Sequence, residues 1–121
     1  MSLIKPGVAT GDQVQEIFKL AKAKKFALPA VNVIGSSSVN AVLETAKQLN
    51  SPVIIQFSNG GAAFNAGKSL DNSDQTAAVA GSIAGAKHVH TIAEAYVVPV
   101  ILHTYHCCLL YTSDAADDAS S

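Results

Sequence analysis

Three short apolar segments, each opened by a proline, recur along the 121-residue chain: Pro29-Ala-Val-Asn-Val33, Pro52-Val-Ile-Ile-Gln-Phe57 and Pro99-Val-Ile-Leu-His103. They read as one motif used three times. Proline at the first position of a strand removes no ladder hydrogen bond, and near-continuous Val, Ile and Leu runs suit strands covered on both faces. Helical periods lie between them, and strands alternating with helices imply a parallel sheet built from βα units. The interval from the second proline to the third is about twice that from the first to the second, which marks Ser58 to Ser73 as an inserted loop. Loops of that length in a packed domain usually carry function.

Three helices are predicted. Thr10 as N-cap and Gln13 as its capping-box partner open an amphipathic stretch of Val14, Ile17, Phe18 and Ala21 that ends near Lys24-Lys25, where cations suit the helix dipole. Ser36 to Ser38 offer N-caps for a second helix, in which Val39, Val42, Leu43, Ala46 and Leu49 recur at helical spacing up to Asn50. A third runs from about Asp74 to Tyr96 on Val79, Ile83, Ala86, His90 and Ala93, with Gly81 and Gly85 permitting close packing.

Composition narrows the partners. Hydrophobic residues make up 49% and charged residues 14%, enough apolar material for a core and too little charge for a disordered segment. All eight basic residues are lysines and the net charge is −1, so neither a phosphate-tracking stripe nor a polybasic membrane patch is available. Nucleic acid and membrane are therefore not expected as partners. The longest apolar run, Val97 to Leu102, is too short to span a bilayer, and Pro6-Gly7 stands where a signal peptide needs an apolar stretch. The adjacent Cys107 and Cys108 form no disulfide framework, which fits a reducing cytoplasm.

In parallel α/β folds, ligands bind at the carboxyl ends of strands. Those ends here carry Asn32 and Gly35, then Gln56, Ser58, Asn59 and Gly60-Gly61, then His103, Thr104, Tyr105 and His106. Ser58 to Gly61 reads either as a phosphate cradle, with glycine N–H groups and a hydroxyl donor, or as a tight turn. His103 and His106 read either as part of a zinc site, which needs a third ligand, or as hydrogen-bonded histidines of a strand-end loop. His88 and His90, two apart on a helix, point in different directions and share no metal. Lys68 and Asp71 to Asp74 read as solvated loop residues, and Lys22, Lys24 and Lys25 as a helix's wet face.

Phe26-Ala-Leu-Pro-Ala-Val-Asn32, Ser51-Pro-Val-Ile-Ile-Gln-Phe-Ser-Asn-Gly-Gly61 and Val98-Pro-Val-Ile-Leu-His-Thr-Tyr-His-Cys107 resemble class II fructose-bisphosphate aldolases. Lys5-Pro-Gly7, Thr10-Gly-Asp12 and Asn40 to Ala46 match too, so the resemblance covers residues 5 to 107. It implies an α/β fold, the first three βα units of a TIM (β/α)8 barrel, truncated, from a family that is commonly homodimeric. The implied activity is reversible cleavage of fructose 1,6-bisphosphate to dihydroxyacetone phosphate and glyceraldehyde 3-phosphate, with zinc as the Lewis acid. By position, His106 resembles a zinc ligand, Ser58 a donor to a substrate phosphate, and Asn32 and Gln56 residues that hold the substrate near the metal. The family's remaining zinc ligands and second phosphate site have no counterpart in this sequence, so the metal site is expected to be incomplete. Tyr105 stands where the family has the Asp that serves as acid/base for the substrate's C4 hydroxyl. A phenol of ordinary pKa about 10 is a poor base at neutral pH, so the substitution predicts an inactive chain. The alternative is a small stand-alone α/β module binding a phosphate-bearing ligand, although such folds usually have about five strands.

Beyond Cys107 the pattern stops. Residues 108–121 carry no helical or strand period, and one back-translation of Cys108 to Asp117 resembles the end sequence of transposon-based library preparation. The domain reading is therefore an aldolase segment over 1–107 and an adapter-derived, disordered tail over 108–121. A complete barrel takes roughly 250 residues, and three strands do not close one. Unpaired sheet edges and uncovered apolar surface predict that the isolated chain associates or stays partly unfolded. Sedimentation and thermal melting check this, and a sharp cooperative melt of a monomer contradicts it.

Overall fold

A computed structural model describes residues 4–105. The elements in chain order are β1 (Gly7–Val8), α1 (Asp12–Lys24), β2 (Ala30–Asn32), α2 (Ser36–Leu49), β3 (Val53–Ser58), α3 (Asn59–Ala66), α4 (Thr76–Tyr96) and β4 (Pro99–Tyr105). The repeated motif has a local cause. α1, α2 and α4 each end on a left-handed residue, Lys25, Asn50 and Val97. The next N–H reaches back to the helix: Phe26 to the Ala21 carbonyl, Ser51 to that of Ala46, Val98 to that of Ala93. These paired bonds make a Schellman stop, after which proline prevents the helix from resuming and starts the chain into the sheet.

The four strands are all parallel and lie in the order β1-β4-β3-β2. The three expected strands are thus neighbours, and a short fourth, β1, joins the outer edge of β4 through Gly7 and Val8. Val53, Ile55 and Phe57 of β3 are buried beneath Val39, Leu43 and Ala46 of α2 and Val89 and Ala93 of α4. Each such side chain contributes about 1.5–3 kcal/mol. The other face of β3, Ile54, Gln56 and Ser58, is only half-buried. The sequence reading expected both faces covered; here helices cover one, and the opposite face is the one that further strands of a closed barrel would fill.

The structure corrects the sequence reading at several points. The region from Ser58 to Ser73 is not all loop, because Ser58 caps α3 by accepting the Gly61 N–H at 2.9 Å. The N-cap of α1 is Gly11 rather than Thr10, although the Gln13 side chain still accepts the Thr10 N–H at 3.4 Å. The N-cap of α2 is Gly35, and Ser38 returns to accept its N–H at 3.2 Å, the return half of a capping box.

In α4 the close packing expected at Gly81 and Gly85 is found, but the periodic stripe is only partly the core. Val79 and Ile83 are 39% and 51% exposed, whereas Ala77, Ala78, Gly81, Gly85, Val89 and Ala93 are buried. The reason is close approach: a Cβ on Gly81 would overlap the Ala62 carbonyl of α3, and one on Gly85 would overlap the Phe57 ring. Small residues let α4 lie on α3 and the sheet, so hydrophobicity alone points to the wrong face. Asn65 adds a bond from its side-chain amide to the Gly81 carbonyl at 2.9 Å. Among the described residues, no helix is long and apolar enough to cross a membrane.

Gly81→Ala is predicted to destabilise the chain by about 3 kcal/mol or more, since the obstacle is backbone and cannot swing away. Gly60→Ala, where a Cβ meets nothing within 4 Å, is predicted to be neutral or stabilising by up to about 1 kcal/mol. Denaturant midpoints of the two variants check the pair; equal losses contradict the packing described.

Candidate functional site

Parallel register decides which polar side chains meet. Asn32 pairs with Gln56 across β2 and β3, and Gln56 pairs with His103 across β3 and β4. Side chains at paired positions share a face, so the three amide and imidazole groups form one row on the half-buried side of the sheet. Below it lies the apolar row Ala30, Ile54 and Ile101, and above it Ser58 pairs with Tyr105.

The polar row is bonded throughout. Gln56 Nε2 donates to Asn32 Oδ1 at 2.5 Å, and Gln56 Oε1 lies 3.1 Å from His103 Nδ1. Ser58, one layer higher, spends an oxygen lone pair on the Gly61 N–H and keeps its own O–H for another acceptor. It stands at the head of α3, whose first N–H groups have no intrahelical acceptor. Asn59 fastens this helix start to that of α4, donating from Nδ2 to Gln75 Oε1 at 2.9 Å.

The residues singled out from sequence therefore fall into three groups. Asn32 and Gln56 touch each other, and Ser58 sits above them at the same rim. Tyr105 is the last residue of β4, with its backbone beside Ser58. His106, Cys107, Cys108 and the tail reading lie outside the described residues. His103, read from sequence either as part of a zinc site or as a hydrogen-bonded strand-end histidine, is the third member of the row. Its signal in the sequence was there: Gln56 and His103 occupy the same place in two copies of the proline-led motif. His88 and His90 diverge as expected, His88 Nε2 lying 2.9 Å from Asn40 Oδ1 while His90 is exposed. The loop charges stay in local contacts. Lys68 lies over the Phe64 ring at 5.9 Å, and Asp71 is bonded to the Ser73 hydroxyl and N–H, which hold its carboxyl below the ordinary value.

The family model for class-II fructose-bisphosphate aldolase matches residues 12–120. The chain belongs to the class II fructose-bisphosphate aldolase family. It is 61% identical over 105 residues to the class 2 aldolase of Escherichia coli (strain K12), and 61% identical over 104 residues to the aldolase of Edwardsiella ictaluri. In each case 86% of this chain and 29% of the relative are covered. A crystal structure of the aldolase from Campylobacter jejuni superposes with a TM-score of 0.80 at 59% identity, covering 88% of this chain and 30% of that one. The chain thus spans less than a third of the length of these relatives, and its parallel α/β sheet is part of an aldolase barrel.

Class II aldolases are metal-dependent as a family. Among the described residues, no group of three or more His, Cys, Asp or Glu side chains is placed to hold an ion. The row itself offers two amides and one imidazole, a donor set suited to sugar oxygens rather than to a closed metal site. The described residues do not by themselves make the metal centre, and no step is taken through it.

Proposed function

We propose that this segment supplies the substrate-holding rim of an aldolase that reversibly cleaves fructose 1,6-bisphosphate to dihydroxyacetone phosphate and glyceraldehyde 3-phosphate in the cytoplasm. The observation that supports it most is the juxtaposition of the Asn32, Gln56 and His103 row with Ser58 and the start of α3 at one rim of a parallel sheet. The row offers hydrogen bonds to the hydroxyl and carbonyl oxygens of a bound sugar. One layer above, the Ser58 hydroxyl and the first N–H groups of α3 suit a phosphate, which the helix dipole also favours. The substrate is then gripped at its phosphate and along its carbon chain, which fixes the reacting bond.

His106 is proposed as one zinc ligand, with its companions in the parts of the relatives' length that this chain does not span. Zinc supplies the Lewis acid of the reaction when bound. The homodimer belongs to the same reading. Tyr105 stands at the position of the acid/base carboxylate, and a phenol is a poor general base compared with a carboxylate at neutral pH. The chain as it stands is therefore proposed to be inactive on two grounds, the missing ligands and the missing base. Membership of the aldolase family removes the ground for a stand-alone binding module. The segment boundary at Cys107, against a family match that runs to residue 120, is tested by reading the DNA past that codon.

A chimera tests the reaction. Residues 1–107 of this chain, carrying Tyr105→Asp, are joined to the remainder of the Escherichia coli class 2 aldolase and assayed for cleavage. The expected result is activity that a chelator removes and zinc restores, with the Tyr105 parent slower by about 10²–10⁴-fold. Silence of the Asp chimera, or equal rates for the two, contradicts the proposal.

A further inference from the structure

The row at the rim has a direction, and His103 sets it. A carboxamide has one donor end and one acceptor end. Gln56 turns its Oε1 to His103 Nδ1 and its Nε2 to Asn32 Oδ1. An acceptor facing the ring requires that His103 carry its hydrogen on Nδ1. The donor end of Gln56 then occupies the oxygen of Asn32, which leaves both hydrogens of Asn32 Nδ2 without an acceptor among the described residues. We infer that His103 is a positioning residue that, through Gln56, orients Asn32 as a hydrogen-bond donor toward an electron-rich oxygen of the ligand.

This deepens the reading of the rim as a substrate-holding site and rests on it. The alternative arrangement turns over all three groups together: Asn32 donates to Gln56, Gln56 donates to an unprotonated His103 Nδ1, and Asn32 then shows its carbonyl oxygen to the ligand. The two arrangements make opposite surfaces from the same residues. A donor surface suits an oxygen that gains negative charge as a carbon–carbon bond next to a carbonyl breaks; an acceptor surface opposes it. A specific hydrogen on an imidazole three hydrogen bonds away from the ligand thus decides what Asn32 presents. The three residues come from three different strands, so only the parallel register allows the relay.

Two experiments test it. In the active Asp chimera, His103→Leu removes the donor, whereas His103→Asn keeps an N–H in a similar place. The Leu variant is expected to lose ten- to a hundredfold in kcat/KM, the Asn variant to recover most of it, and both to keep the parent's melting temperature. Inactivity of the parent chimera overturns the reading of the site; an active parent with an unaffected Leu variant, or with Asn and Leu equally impaired, overturns only the role of His103. The second experiment needs no activity. Long-range proton–nitrogen NMR of the histidines in the Asp chimera, with His103 identified by its loss in His103→Leu, is expected to show the hydrogen on Nδ1. Replacing Gln56→Leu is expected to shift it toward Nε2, the tautomer a free imidazole prefers. A hydrogen on Nε2 in the parent chimera overturns the inference.

Discussion

The register of β3 between β2 and β4 carries the rest of the structure. Because side chains alternate along a strand, the backbone ladder sends Val53, Ile55 and Phe57 under the helices and Ile54, Gln56 and Ser58 to the other face. A slip of one residue would exchange the two sets. It would place Gln56 beneath α2 and α4 as a buried amide and expose Ile55 and Phe57, a change penalised on both faces. The apolar packing of the outer face therefore holds the polar row of the inner face in place. Core and site are two consequences of one pairing pattern.

A second constraint is the closeness of α4 to its neighbours. Gly81 against the Ala62 carbonyl and Gly85 against the Phe57 ring bring α4 down onto α3 and β3, and α3 begins at Ser58. The Asn59 to Gln75 bond and the Asn65 to Gly81 bond tie the same helices by polar contacts. The position of the Ser58 hydroxyl thus depends on glycines more than twenty residues downstream. Where the sheet has no further neighbour, the groove beside β2 between Val31, Val42 and Leu49 remains open, with a volume of about 450 Å³ and Leu49 71% exposed. The relatives that this chain matches are about three times as long, and a barrel has no such edge.

Much of this was legible in the residues. The proline-led repeats located three parallel strands and their order, and the helical periods of α1 and α2 located the faces that bury Ile17, Ala21, Val39, Leu43 and Ala46. Asn32, Gln56 and Ser58 were read as strand-end residues because they lie at the carboxyl ends of the apolar runs. What escaped had physical causes. β1 is two residues long and exists only through pairing with β4, so it has no local pattern. α3 lies in a stretch whose glycines suggest a turn, and only the Ser58 cap and the packing on α4 make it helical. In α4 the close packing at Gly81 and Gly85 was legible, but Ala77, Ala78 and Val89 beside them were not, because Val79 and Ile83 carry the more apolar period. For His103 both metal binding and hydrogen bonding were open, and its partner was hidden because Gln56 is 47 residues away in sequence.

The account stands or falls on the cross-strand register, and backbone NMR reads it directly. Interstrand nuclear Overhauser contacts in the isotope-labelled chimera are predicted to link Asn32 with Gln56 and Gln56 with His103, in step with Ala30, Ile54 and Ile101 one layer below. Contacts of Gln56 with Leu102 or Thr104 in place of His103 would put the two side chains on opposite faces of the sheet. That result would dissolve the row and contradict the site built upon it.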